Sequence, residues 1–230
     1  MKKWMQYQLK YQQVSDYQYG GSSLPLTNVG LSMQHVFQWI KDQYRSKNPN
    51  LICKTFKAFA EDGSIDMAAA HAPALEKQKI QEWFQDPEFH LLMNQPSVEQ
   101  LLFAHETDFH FVLNSFIQSM GLTNVVTQGI MSVRINLQHP GYIFPLHLDR
   151  PRHVDYDTTV EHISQPPSHR RFLIFMDDWQ PGQVFQMDYD FIKWQAGDVY
   201  TWDVRNTMHG SANFGYEPRW MLMYTLQTND

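Results

Sequence analysis

The chain has 230 residues, of which 43% are hydrophobic and 14% aromatic, with a net charge of −6. This length and composition favour a single folded domain over a disordered chain, and the negative charge argues against general attraction to nucleic acid or anionic membranes. The single cysteine, Cys53, excludes an intramolecular disulfide and a zinc–cysteine cluster, and no apolar run has signal-peptide or membrane-spanning length. We therefore expect a cytoplasmic protein with neither membrane nor nucleic-acid partners.

The first 121 residues carry the periodicity of helices. Apolar residues recur at helical spacing in 31–46, where Ser32 is a candidate cap, in 73–94, with a break near Pro87, and in 97–121. The last of these segments predicts one long helix that ends at Gly121. We expect this mainly helical part, 1–121, to pack outside a core formed by 122–230, because no linker separates the two within one domain of 1–230.

After Gly121 the period changes to two, which is typical of half-buried strands. Met131, Val133, Ile135 and Leu137 alternate with polar residues. Further strand-like runs are Tyr142–Leu148, Arg171–Met176, Val184–Met187, Val199–Val204, Met208–Asn213 and Arg219–Leu226. Many short strands separated by turn signals predict a small barrel or a two-sheet jelly roll, and with the N-terminal helices an α+β protein.

Two ionisable residues interrupt one of these apolar runs, in "HPGYIFPLHLDRPRH" at 139–153. Residues two apart on a strand point to the same face, so His147 and Asp149 can both face a barrel interior. Burying both groups would be costly without partners, and a metal ion would compensate for that cost. A surface pair is the alternative, and the chain contains a similar His153-Val154-Asp155 triplet in a loop-like stretch.

A third ligand comes from downstream. His209 is the only histidine after His169. Two histidines and one carboxylate form the facial triad of non-haem Fe(II) oxygenases, which leaves positions open for a co-substrate and dioxygen.

Arg219 follows His209 by ten residues, in "FGYEPRWMLMYT". A hairpin centred on Phe214-Gly215 would set the two residues opposite each other on one face. A guanidinium there could receive a carboxylate through two hydrogen bonds. The alternative is a surface ion pair of Arg219 with Glu217 or Asp203.

Taken together, these residues resemble a known family. Residues 131–226, about two-fifths of the chain, resemble the double-stranded β-helix core of the Fe(II)/2-oxoglutarate-dependent oxygenases, through His147-x-Asp149, His209 and Arg219. The surrounding "RRFLIFMDDWQPGQVF" and "WQAGDVYTWDVRNTMHGSANFGYEPR" look like the prolyl- and aspartyl-hydroxylase types. The N-terminal 120 residues have no counterpart in this resemblance.

The resemblance implies a jelly-roll, cupin-like catalytic core and a hydroxylase. Fe(II) would be held by His147, Asp149 and His209, and Arg219 would take the distal carboxylate of 2-oxoglutarate. The implied reaction decarboxylates 2-oxoglutarate to succinate and hydroxylates a C–H bond of an amino-acid side chain or a small molecule. Ascorbate is a candidate reductant, and a homodimer is a candidate assembly.

The second contact for 2-oxoglutarate is assigned by analogy. Where prolyl-hydroxylase relatives commonly carry a tyrosine, this sequence has His139. Arg171 is the candidate instead, since an arginine opens the corresponding strand in aspartyl-hydroxylase types; a solvated strand-end charge is the alternative. Asn136 and Gln138, on the polar face of the preceding strand, are weaker candidates.

Two rival functions and several residue roles stay open. A cupin-like metal-dependent isomerase or lyase would need no keto acid, and a non-catalytic β-barrel binding protein would need no metal. Trp202 is expected in the core rather than in a substrate cage, and Asn213 in a turn. The segment 150–170 is either a lid or a surface loop. The substrate is a small molecule, a peptide or a protein.

Overall fold

A computed structural model describes residues 24–56, 87, 97–122, 130–147, 168–188, 190–203 and 207–228. The described helices of more than one residue are α1 (Gly30–Arg45) and α2 (Glu106–Ser119). The described strands are β1 (Thr27–Asn28), β2 (Leu51–Phe56), β3 (Val98–Phe103), β4 (Ile130–Gln138), β5 (Ile143–His147), β6 (Ser168–Phe175), β7 (Gln183–Met187), β8 (Asp190–Phe191), β9 (Asp198–Asp203), β10 (His209–Asn213) and β11 (Arg219–Thr228). Neither described helix is long and apolar enough to cross a membrane.

The strands form two sheets with antiparallel pairing throughout. The larger sheet has the order β1-β9-β6-β11-β4-β3-β2, and the smaller has the order β5-β10-β7-β8. From β4 to β7 and again from β9 to β11, each strand lies in the opposite sheet from the one before it. This alternation produces a double-stranded β-helix, so the expected α+β, jelly-roll fold is confirmed.

The middle of the larger sheet is buried on both faces, at 172–175 of β6 and 219–225 of β11, and the residues there alternate between two hydrophobic clusters. On β6, Phe172 and Ile174 join the cluster beneath the two helices, whereas Leu173 and Phe175 join the cluster shared with the smaller sheet. Because neither face meets water, these strands read as continuous apolar runs such as "FLIFM". The side of each strand that faces the smaller sheet is the side available for a site.

The helices close the outer face of the larger sheet. Phe116 of α2 stacks on Tyr224 of β11 with 3.9 Å between ring centroids, and the Tyr224 hydroxyl donates to the Val112 carbonyl at 3.1 Å. Burial of that hydroxyl raises the pKa of Tyr224 well above its ordinary value. This packing closes the outer face of the larger sheet, so that face is not available for a site.

The predicted strands from 130 onward are confirmed, but two helical predictions are wrong. Residues 97–121 do not form one helix, since Val98–Phe103 is strand β3 and the helix begins only at Glu106. The buried residues Val98 and Leu101 are three apart, which mimics a helix, but pairing with β2 and β4 overrides that local preference. Ser32 does not cap α1, because its hydroxyl lies inside the first turn and donates to the Val29 carbonyl.

Strands from the first half of the chain extend the larger sheet. β1 pairs with β9, and β3 pairs with β4. The sheet therefore continues beyond residues 122–230, while the expected division at residue 121 stays a prediction. The expected helix at 73–94, apart from the single helical residue Pro87, and the candidate lid at 150–170, apart from the strand residues Ser168–Arg170, lie outside the described residues.

Candidate metal and carboxylate site

The two predicted histidine ligands lie on neighbouring strands of the smaller sheet. His209 is the first residue of β10 and His147 is the last residue of β5, and the two are partners in the strand register. On its other side His209 is the partner of Met187 on β7. The third predicted ligand, Asp149, lies just beyond β5 and outside the described residues.

His209 is oriented as a metal-ligating histidine commonly is. Its side chain is only 7% exposed, and Nδ1 lies 3.2 Å from the Thr207 carbonyl oxygen. Because a carbonyl can only accept, Nδ1 must carry the proton, which leaves the lone pair on Nε2. A backbone acceptor that fixes the tautomer in this way is the usual support of a ligating imidazole, so His209 fits the predicted role.

Arg219 is buried between the two sheets with neutral neighbours. Its side chain is 2% exposed, Nη1 donates to the Val184 carbonyl at 2.6 Å, and Nη2 donates to Oε1 of Gln138. Its Nε has no hydrogen-bond acceptor among the described residues. The alternative of a surface ion pair with Glu217 or Asp203 does not fit a side chain buried this deeply.

The charge of Arg219 is therefore uncompensated in the part of the chain that the structure describes. Burial lowers the pKa of Arg219 to about 9, since no described carboxylate stabilises the cation. The group still carries its proton at neutral pH. A buried cation with an unused N–H donor is a fitting receptor for a carboxylate, which would supply both the charge and the acceptor.

The expected hairpin pairing of His209 with Arg219 is wrong. β10 belongs to the smaller sheet and β11 to the larger one, so the chain crosses between sheets at the intervening turn. Both residues instead lie beside an aromatic wall that Trp202 and Phe185 form. Trp202 lies 4.8 Å from His209 between ring centroids and 6.4 Å from Phe185, and the Arg219 guanidinium carbon lies 6.0 Å from the Phe185 ring.

The remaining candidates fall at different places in this interior. Gln138 is fully buried and contacts Arg219, and its amide nitrogen donates to the Ser97 carbonyl at 3.2 Å. Arg171 on β6 is half-buried and is the register partner of Trp202, so it lies toward the His209 end rather than beside Arg219. Its role in co-substrate binding stays a prediction.

Three other residues have contacts of their own. The Nδ2 of Asn213 donates to the carbonyls of Gln138 and Glu217, so Asn213 ties the backbone at the sheet crossing, as expected. The Nδ2 of Asn136 lies 4.0 Å from the Met223 sulfur. His139 lies 3.1 Å from a carboxylate oxygen of Glu99 and forms an ion pair when protonated.

Sequence reasoning missed the neutral partners of Arg219. Gln138 is only a weak candidate in the sequence, and no sequence pattern indicates the Val184 carbonyl or the ring of Trp194, which lies 5.4 Å from the guanidinium carbon. The polar residues that alternate with apolar ones along β4 are the signal that could have identified Gln138 as a site residue. A backbone carbonyl leaves no such signal, because every residue has one.

Within the described residues, no three histidine, cysteine, aspartate or glutamate side chains form a group that could hold a metal ion. The predicted triad includes Asp149, which lies outside those residues. The fit to a metal therefore depends on the register pairing of the two histidines and on the tautomer of His209.

No family model matches the chain, and a search of curated proteins finds no match. Among solved structures, the chain is similar to HygX from Streptomyces hygroscopicus with nickel and 2-oxoglutarate bound, at 11% identity and a TM-score of 0.42 over 82% of this chain and 86% of HygX. It is also similar to a Pseudomonas putida prolyl-4-hydroxylase, at 13% identity and a TM-score of 0.42 over 88% and 91%.

A third similar structure is KdgF from Halomonas sp., at 11% identity and a TM-score of 0.33 over 60% of this chain and 86% of KdgF. All three TM-scores are low, so the fold assignment rests on the strand order of the two sheets and the site assignment on the residues themselves.

Proposed function

We propose that this protein is an Fe(II)- and 2-oxoglutarate-dependent dioxygenase that hydroxylates a C–H bond of an amino-acid side chain or a small molecule. The observation that carries the proposal is Arg219, a buried guanidinium that has neutral partners and an unused N–H donor among the described residues. The Arg219 guanidinium lies in the same interior between the two sheets as His209. A cupin-like isomerase or lyase, or a binding barrel, would need such a cation only for an anionic substrate or ligand.

Different residues would hold the metal and the co-substrate. His147, Asp149 and His209 would hold Fe(II), and Arg219 would bind the distal carboxylate of 2-oxoglutarate. When bound, Fe(II) and 2-oxoglutarate would supply an oxidation by dioxygen, in which one oxygen atom enters succinate as 2-oxoglutarate loses carbon dioxide and the other enters the substrate C–H bond as a hydroxyl group. Gln138 and the Val184 carbonyl hold the guanidinium in place, and the aromatic wall excludes water.

The first test is an anaerobic titration of the metal-free protein with Fe(II) and then 2-oxoglutarate, followed by visible absorption. We expect a weak charge-transfer band that requires both additions, and we expect Asp149→Ala and His209→Ala to abolish it. His110→Ala, on an exposed face of α2, is the matched histidine control and should keep the band. Iron binding without the band would favour the cupin-like function, and no iron binding would contradict any iron enzyme.

The affinity for 2-oxoglutarate should depend on pH through Arg219. Only the protonated guanidinium attracts a carboxylate, and burial lowers the pKa of Arg219 to about 9. The dissociation constant should therefore be constant from neutral pH to about 9 and should rise about tenfold per pH unit above it. Calorimetric titrations across this range measure the effect.

Pyruvate is the control for this pH dependence. It retains the keto-acid end of 2-oxoglutarate but lacks the distal carboxylate, so its affinity should not follow Arg219. A parallel loss of pyruvate binding above pH 9 would assign the effect to the metal or to unfolding instead.

The substrate and the assembly state are further proposals. We infer a small-molecule, peptide or protein substrate, cytoplasmic action and ascorbate as a reductant, in line with the sequence expectations. A homodimer also stays a prediction.

A further inference from the structure

Trp202 differs from two other tryptophans beside the inter-sheet cluster. The indole N–H of Trp179 donates to the Gln183 carbonyl at 2.8 Å, and that of Trp194 donates to the Asp177 carbonyl at 3.1 Å. Trp202 is only 3% exposed, yet its Nε1 is buried without an acceptor among the described residues. Buried indole N–H groups usually have a partner, so this donor is unusual.

The position of Trp202 indicates what the missing acceptor is. Its ring lies 4.8 Å from that of His209, at the metal end of the interior. Arg219 is at the other end, where it contacts the Val184 carbonyl on β7. Val184 and Met187, the register partner of His209, are three residues apart, or about 10 Å along the strand.

An anionic ligand with two polar ends would use both donors. The distal carboxylate of 2-oxoglutarate would lie at Arg219, and the opposite end, which carries the keto acid, would reach the neighbourhood of His209. A carboxylate oxygen there would be a strong acceptor for an indole N–H, because hydrogen bonds to charged groups are the stronger class. No protein acceptor would then be needed at that point.

We propose that Trp202 is a further co-substrate-binding residue, whose indole N–H donates to the carboxylate at the keto-acid end of 2-oxoglutarate. The proposal rests on the proposed function and extends it, because it makes the interior a receptor with a donor at each end. Trp202 is thus both a core residue, as the sequence predicted, and a residue that recognises the co-substrate.

The test observes the indole N–H directly. Protein labelled with ¹⁵N-tryptophan is loaded with Zn(II), which is diamagnetic, and its indole resonances are recorded while 2-oxoglutarate is added. The Trp202 resonance, assigned by its absence in Trp202→Phe, should move downfield on binding. Pyruvate should move the same resonance, since it keeps the keto-acid end, and the Trp179 resonance should stay in place.

A second measurement compares affinities. Calorimetry should give about a tenfold weaker binding of 2-oxoglutarate to Trp202→Phe than to the wild type, with unchanged Zn(II) affinity. Trp179→Phe removes an indole that already has a backbone acceptor, and it should bind 2-oxoglutarate as the wild type does.

The outcomes separate this proposal from the function on which it rests. Binding of Zn(II) and 2-oxoglutarate to the wild type with an unmoved Trp202 resonance would overturn the role of Trp202 and leave the proposed function standing. A shift with 2-oxoglutarate but not with bound pyruvate would overturn the assignment to the keto-acid end. Absence of 2-oxoglutarate binding to the wild type would overturn both.

Discussion

Replacing Arg219 with glutamine should weaken 2-oxoglutarate binding by about a hundredfold or more and leave Fe(II) binding unchanged. The guanidinium is buried and lacks a carboxylate partner among the described residues, so a bound carboxylate would gain hydrogen bonds to a desolvated charge. Each such bond contributes about 1.5–3 kcal/mol, and a hundredfold change corresponds to about 2.7 kcal/mol. Anaerobic titration with 2-oxoglutarate measures the change.

Two matched comparisons define the origin of this loss. Arg219→Lys keeps the charge but loses the planar pair of donors, so its affinity should lie between those of the wild type and Arg219→Gln. Arg170→Gln removes an exposed arginine of β6 and should have no effect. If Arg219→Gln weakened pyruvate and 2-oxoglutarate equally, Arg219 would not bind the distal carboxylate.

Replacing Gly197 with alanine should destabilise the fold by at least about 3 kcal/mol or prevent folding. Gly197 has a φ of +88°, and a Cβ there would lie 2.1 Å from the backbone nitrogen of Gly30 and 2.3 Å from its Cα. Both contacts are with backbone at the start of α1, which cannot move without displacing the helix. Chemical denaturation followed by circular dichroism measures the loss.

Gly121→Ala is the control for Gly197→Ala. Gly121 also has a positive φ, +66°, but a Cβ there would meet nothing within 4 Å. Its substitution should cost only the backbone strain of a left-handed residue, about 1–2 kcal/mol. Equal losses at the two positions would show that the close approach of Gly30 to Gly197 contributes nothing.

The sequence by itself determined the strands of the second half and supplied the candidate residues of the site. Period-two alternation in β4 and the apolar runs of β6 and β11 follow directly from which faces are buried, and burial is a property that side chains report locally. His209 was predicted because it is the only histidine after His169. Arg219 was predicted from its ten-residue spacing to His209, although the hairpin pairing inferred from that spacing is wrong.

Only the tertiary structure decided which strands and side chains meet. Periodicity shows which face of a strand is buried but not which strands are its neighbours. The crossing that places His209 in one sheet and Arg219 in the other could therefore not be predicted from the alternation of residues. The contact of Arg219 with Gln138 joins residues 81 apart, and β3 is a strand because β2 and β4 pair with it. The indole of Trp202, which has no acceptor among the described residues, likewise became evident only from the side chains that surround it.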